Sequence, residues 1–177
     1  MDKDLRVIPE CYVDTNLISC LLDGIGVNHQ KGCTRVTGVM EKQLVNNFAI
    51  GVIDADKVVP VYMEEFHQIA QKEHLRIYKH NTRPHYIITI YKAVEDFILS
   101  QASEAGVSLT EYDLPNDMES LKKVTKKVTS DTDNRFKRLF LRLSTVGEVA
   151  VLKNALCYLR AQGYAAREDE IVSLLAN

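Results

Sequence analysis

Apolar residues recur along this chain with two periods, and the switches between them mark out its elements. "LRVIP" at 5–9 is a short apolar run stopped by Pro9 and reads as a buried first strand. Behind it, Leu17, Ile18, Leu21 and Leu22 of "DTNLISCLLD" (14–23) fall at helical spacing, with Asp14 or Thr15 as N-cap and Gly24 as the stop. A second short strand is expected at 25–29, followed by a helix in which Val36, Val39, Met40 and Leu44 keep the helical period after Gly32 and Thr34. "FAIGVI" (48–53) is apolar throughout, the pattern of a central strand covered on both faces. The order β-α-β-α-β predicts a largely parallel sheet with right-handed crossovers.

Further along, Pro60 opens a predicted helix reaching His74, with Val61, Met63, Phe66, Ile69 and Ala70 as its apolar positions. Strands are expected at 75–80 and 85–90, joined by a polar linker containing Pro84. From Tyr91 the period is helical to the end, through "YKAVEDFILSQASEAG", "DMESLKKVTKKV", "NRFKRLFLRLS", "GEVAVLKNALCYLRAQG" and a short last helix from about Arg167. The chain of 177 residues suits one α/β domain, with a sheet-forming core at 1–90 and a mostly helical extension at 91–177.

Composition narrows the function classes. Apolar residues at 46% and charged residues at 26% are ordinary for a folded globular chain. A net charge of -2 excludes a whole-protein basic field, so a nucleic-acid surface has to be local. "LKKVTKK" (121–127) and "RFKRLFLR" (135–142) are the local candidates, although solvated helical faces explain such runs more often. Cys11, Cys20, Cys33 and Cys157 form no C-x-x-C pair, which argues against structural zinc. "MDKDLRV" has no apolar signal-peptide core and no window is long enough for a membrane span, so a cytoplasmic, reducing location is expected.

The chemistry lies in the carboxylates. Functional groups of parallel sheets gather at the carboxyl ends of strands. Glu10 follows the first strand, and Asp54 and Asp56 follow the third; if those strands are neighbours, three carboxylates converge. Converging carboxylates repel unless a cation or a proton intervenes. Mg²⁺ or Mn²⁺ suits an all-oxygen set and is normally held by few carboxylates plus substrate phosphate. Glu10 is placed to be a ligand or the general base or acid of phosphoryl transfer. Asp14 has two readings, a helix N-cap or a group beside the metal. His29 and Lys31, next to the second turn, and Lys57, after Asp56, are candidate phosphate contacts, each with an ordinary structural or solvated reading beside it.

"IPECYVDTNLI" followed by "GVIDADK" resembles the topoisomerase–primase (toprim) signature, a glutamate after the first strand and an acidic pair after the third. Glu10, Asp14 and Leu17 match the E-x-x-x-D-x-x-L spacing of toprim-like nucleases of the overcoming-lysogenization-defect type, and "KGCTRV" resembles the glycine-containing turn after the second strand. Cys11 stands where that pattern usually has glycine. "AVEDFIL" (93–99) is similar to the acidic helix start of small toprim-like proteins, which would add Glu95 or Asp96 to the ligands. The resemblance, spanning about residues 5 to 57, implies a mainly parallel toprim-like sheet flanked by helices and a Mg-dependent nuclease or related phosphoryl-transfer activity on nucleic acid.

Two other readings compete. "YVDTNLI" also resembles the opening of PilT-N-terminus (PIN) ribonucleases, with "CYV" as the strand and Asp14 as first metal ligand. Alternatively, the chain is a non-catalytic toprim-like interaction module, with "RFKRLFLRL" and "VAVLKNALCYL" serving a protein partner or a homodimer. Core packing explains those two stretches more simply.

Overall fold

The computed structural model describes residues 3–55 and 59–176. The first strand arrives in two pieces, β1 (Lys3–Asp4) and β2 (Val7–Pro9), before helix α1 (Tyr12–Leu21). Then come β3 (Gly26–Val27), α2 (Cys33–Lys42) and β4 (Ala49–Asp54). The main sheet has five strands in the order β2, β4, β7 (His85–Ile90), β6 (Leu75–His80), β5 (Phe66–Gln71). β2, β4 and β7 run parallel, and β6 and β5 complete an antiparallel meander. The sheet is therefore mixed, where a mainly parallel one was expected. β3 pairs with β1 in a separate two-stranded parallel sheet, and the chain after it stays beside β2, with Asn28 and Gln30 N–H donating to the Val7 and Pro9 carbonyls at 2.9 and 3.0 Å.

The expected helix at 60–74 is the main correction. Only Val61–Glu65 is helical, as a 3-10 turn, and Phe66–Gln71 is β5. Phe66 and Ala70 stand four apart, a spacing that both periods accommodate. A register shift between Gln68 and Ala70 then sends Phe66 and Ala70 to opposite faces of the sheet, covering Tyr78 on one and Ile77 on the other. A bulge of this kind leaves no mark in the apolar pattern.

Alternation along the strands builds two cores. Val7, Ile50, Val52, Ile77, Ile88 and Ile90 face one side, Ile8, Ala49, Ile53 and Ile87 the other. The second side is covered by Val36, Val39 and Met40 of α2 and by Tyr62. Gly51 permits that approach, since a Cβ there would lie 2.9 Å from Met40 Sδ and 3.0 Å from Val36 Cγ1. The first side carries α1 and the C-terminal helices, α3 (Val94–Glu104), α4 (Met118–Thr125), α5 (Asn134–Leu143), α6 (Gly147–Gln162) and α7 (Glu168–Ala176). In α5 the apolar residues Phe136, Leu139, Phe140 and Leu143 are buried, and Lys137, Arg138 and Arg142 are exposed, the amphipathic pattern of a packed surface helix. No helix among the described residues is long and apolar enough to cross a membrane.

Candidate functional site

Because β2 and β4 are hydrogen-bonded neighbours, their carboxyl ends bring Glu10 and Asp54 together. The buried Glu10 accepts a hydrogen bond at Oε2 from the Asp54 N–H, 3.0 Å away. Asp54 Oδ1 in turn accepts from the Val94 N–H at 3.1 Å, so it satisfies an amide at the start of α3, where the N-cap Ala93 has no side chain to do so. Asp56 and Lys57 lie outside the described residues.

The turn from Glu10 into α1 is closed by a capping box in which cysteine replaces the usual serine or threonine. Cys11 Sγ accepts from the Asp14 N–H at 3.4 Å, and Asp14 Oδ2 accepts from the Cys11 N–H at 3.2 Å. Cys11 is extended, with φ -127° and ψ 173°, so the turn does not require glycine for its backbone conformation. Burial, with Asp14 alongside, pushes the Cys11 thiol up, which keeps it protonated and inert as a nucleophile. "CYV" is thus the cap and first turn of a helix. Asp14 sits one turn inside it, so neither it nor Thr15 is the N-cap expected from the sequence, and Asp14 is not at a strand end as the PIN-like reading requires.

Asp14 is fully buried, and its Oδ1 has no hydrogen-bond partner. Burial pushes its carboxyl up, to about 7, with repulsion from Glu10 and Glu95 acting against hydrogen bonds from Cys11. Glu95 is also buried, on the first turn of α3, and Thr125 donates its hydroxyl to Oε1 at 2.5 Å. Lys122 of α4 and Lys126 at its C-cap line a cavity of about 140 Å³ shared with Cys11, Asp54 and Glu95. Four carboxylates and two amines therefore gather at one end of the sheet.

The phosphate contacts expected at the second turn are placed less favourably. His29 Nδ1 is 2.8 Å from Thr15 Oγ1 and its ring stacks on Tyr12 at 4.5 Å. Burial pulls its pKa down, so the ring is held neutral in a packed position. Lys31 is exposed.

The carboxylates at this edge suit a hard, oxygen-seeking ion, and the unpartnered Asp14 Oδ1 is a buried acceptor with nothing to accept. Their spacing is open. Among the described residues, the one group of three ligand atoms within 4.8 Å of one another is Glu73, His74 and Glu148, elsewhere along the same edge. Oxygens bound directly to one Mg²⁺ lie at most about 4.2 Å apart, so a set this open fits Mg²⁺ only with at least one carboxylate reaching it through an ion-bound water.

Sequence reading did not single out Arg76 and Thr89, which also reach this edge. The signal was in the strand alternation: Leu75 and Ile77 are apolar, so Arg76 shares the opposite face with Tyr78. The chain matches no family model, no curated protein and no solved structure.

Proposed function

We propose that the chain is a divalent-metal-dependent phosphodiesterase of toprim-like type that acts on nucleic acid through Glu10, Asp54 and Asp14. One observation carries the reading: Glu10 and Asp54, at the ends of adjacent parallel strands, are in direct hydrogen-bond contact beside the buried and unpartnered Asp14 Oδ1. The spatial order of the first strands supports it too, with the third beside the first and the chain of the second on its other flank.

Glu10, Asp54 and Asp14 would hold Mg²⁺ or Mn²⁺, with Glu95 behind them, and the ion when bound supplies a water of lowered pKa and neutralises phosphate charge. The chain's own contribution is positional. The Asp54 N–H fixes Glu10, the Val94 N–H fixes Asp54 and the capping box fixes Asp14, so the oxygens are oriented before any ligand arrives. Lys122 and Lys126 offer cationic contacts for phosphate oxygens at the same cavity. Glu10, turned toward Asp54, is the candidate proton acceptor.

The test is calorimetric titration with Mn²⁺ and Mg²⁺, beside cleavage of labelled DNA and RNA, on the wild type and Asp54→Asn. Metal-dependent cleavage reduced on the order of 100-fold or more in the variant is expected. Cleavage untouched by chelator and by the Glu10→Gln, Asp54→Asn double variant would defeat the reading. Metal binding and cleavage both missing from the folded wild type would favour a non-catalytic module.

A further inference from the structure

The carboxyl edge continues past Asp54 onto the α2 side of the sheet, along the part that α2 does not reach. Ile53, Thr89 and Arg76 are successive cross-strand partners on β4, β7 and β6, so their side chains form one row on that face. Above this row is a cavity of about 340 Å³, within the range of small-molecule sites, bordered also by Asp54, Val59, Pro60 and Met63. Its walls are mostly apolar, and its polar groups are few and convergent.

Two of those groups lack partners. Thr89 is 5% exposed and its hydroxyl, in the cavity wall, makes no hydrogen bond. Arg76 is held with Cζ 4.1 Å from the centre of the Tyr91 ring, and its buried Nη1 has no acceptor. No carboxylate is paired with Arg76 among the described residues. A buried guanidinium nitrogen without an acceptor is costly, as is a buried hydroxyl, and adjacent strands place both in one row. Packing alone would be better served by a valine at 89, and at 76 the stack on Tyr91 leaves Nη1 without an acceptor.

We propose that this cavity is a nucleotide subsite, in which Arg76 and Thr89 donate to a phosphate oxygen and Ile53, Val59, Pro60 and Met63 receive the base. Guanidinium with a hydroxyl is a recurrent donor set for phosphate. The apolar walls give the ligand an uncharged flat body as well as an anion. The position beside Asp54 makes this the unit flanking the phosphate that reacts; this assignment of the ligand as part of a nucleic acid rests on the proposed phosphodiesterase reading, whereas the unpaired donors do not.

Binding of AMP, dTMP, inorganic phosphate and adenosine by the full chain, measured by calorimetry in EDTA, tests the subsite without metal. AMP or dTMP should bind more tightly than phosphate or adenosine. Arg76→Gln should weaken nucleotide binding about ten- to hundredfold and Thr89→Val about fivefold, the effects of losing a charged and a neutral hydrogen bond. Thr89→Val should melt within about 3 °C of the wild type or above it, because its hydroxyl has no protein acceptor to lose, and Arg76→Gln, which gives up the stack on Tyr91, should melt within about 3 °C. Nucleotide binding no tighter than that of phosphate, or unchanged in Arg76→Gln, overturns the proposal. Should Arg76→Gln lose both stability and binding, Thr89→Val decides: weakened binding at unchanged melting supports the subsite, and undiminished binding overturns it. Nucleotide binding without any metal-dependent cleavage would leave the subsite standing and remove the nuclease reading. Cleavage with no nucleotide bound in EDTA would do the reverse.

Discussion

Two groups of ionisable side chains lie along the same edge of the sheet, since β6 begins opposite the end of β7, and they are built in opposite ways. Where the β5–β6 turn meets α6, the buried groups are paired. Glu148 accepts from the His74 N–H at 2.9 Å and sits 2.8 Å from His74 Nδ1, while its own N–H is taken by Gln101 Oε1. Gly147, at φ +51°, makes that packing attainable, because a Cβ there would run into Gln101 Oε1. At the Glu10–Asp54 end, Asp14 Oδ1, Thr89 Oγ1 and Arg76 Nη1 have no partner. Closed networks stabilise and specify a fold, whereas buried groups left open weaken it and point to a ligand. The Glu73, His74 and Glu148 group, though its atoms are near enough to hold a metal, belongs to the closed kind.

Substitutions should separate the two, and the largest effect belongs to the closed group. Glu148→Ala strands the His74 amide and ring without an acceptor and should lower unfolding free energy by about 3 kcal/mol, read from urea titration. A loss below about 1 kcal/mol would mean that the network is not structural.

Asp14→Asn should act in the opposite direction. A carboxyl raised from 3.8 to about 7 by burial disfavours folding above its unfolded pKa, with a cost that grows from about pH 4 to pH 7 and then stays constant. The variant in EDTA should therefore be more stable than wild type by roughly 1–3 kcal/mol at pH 8, a gain that disappears near pH 4. Destabilisation at pH 8 would show Asp14 to be an ordinary cap.

Asp4 is a buried carboxylate that is fully paired, with Arg6 at 2.9 Å and Arg160 at 2.9 Å. The Arg6 guanidinium, more than Arg160, holds its carboxyl down to about 2. Here the sign reverses: the stabilisation is complete above the unfolded value of 3.8 and is lost as pH falls through about 2. Because both arginines are partly solvated, Asp4→Asn should cost only about 1–2 kcal/mol at pH 7. Acid titration of wild type and variant should show their stabilities converging between pH 4 and pH 2. The smallest effect is expected from zinc, which should shift the melting temperature by less than about 1 °C and equally in Glu73→Ala, since the His74–Glu148 contact is complete without an ion. Tight zinc binding lost in Glu73→Ala would overturn the contrast.

The strands at 5–9, 48–53, 75–80 and 85–90, α1, α2 and the helical second half were legible because each carries its burial pattern locally. That Glu10 and Asp54 follow strands was legible too, whereas their juxtaposition depended on the first and third strands being neighbours, which the sheet order supplies. The segment 60–74 was not, because its apolar spacing satisfied a helix and a bulged strand alike. Arg76 and Thr89 were not, because each looks like an ordinary strand residue until its neighbours are known.

The sequence by itself determined the inward apolar faces of most strands and helices and that Glu10 and Asp54 end strands, because periodicity and strand ends are local properties of the chain. Only the tertiary structure decided that β5–β7 turn back antiparallel, that Glu148 closes on His74, and that Asp14, Thr89 and Arg76 keep unpartnered polar atoms. Whether a buried polar group is satisfied depends on partners that can lie more than a hundred residues away, as Arg160 does from Asp4, and no local pattern records that.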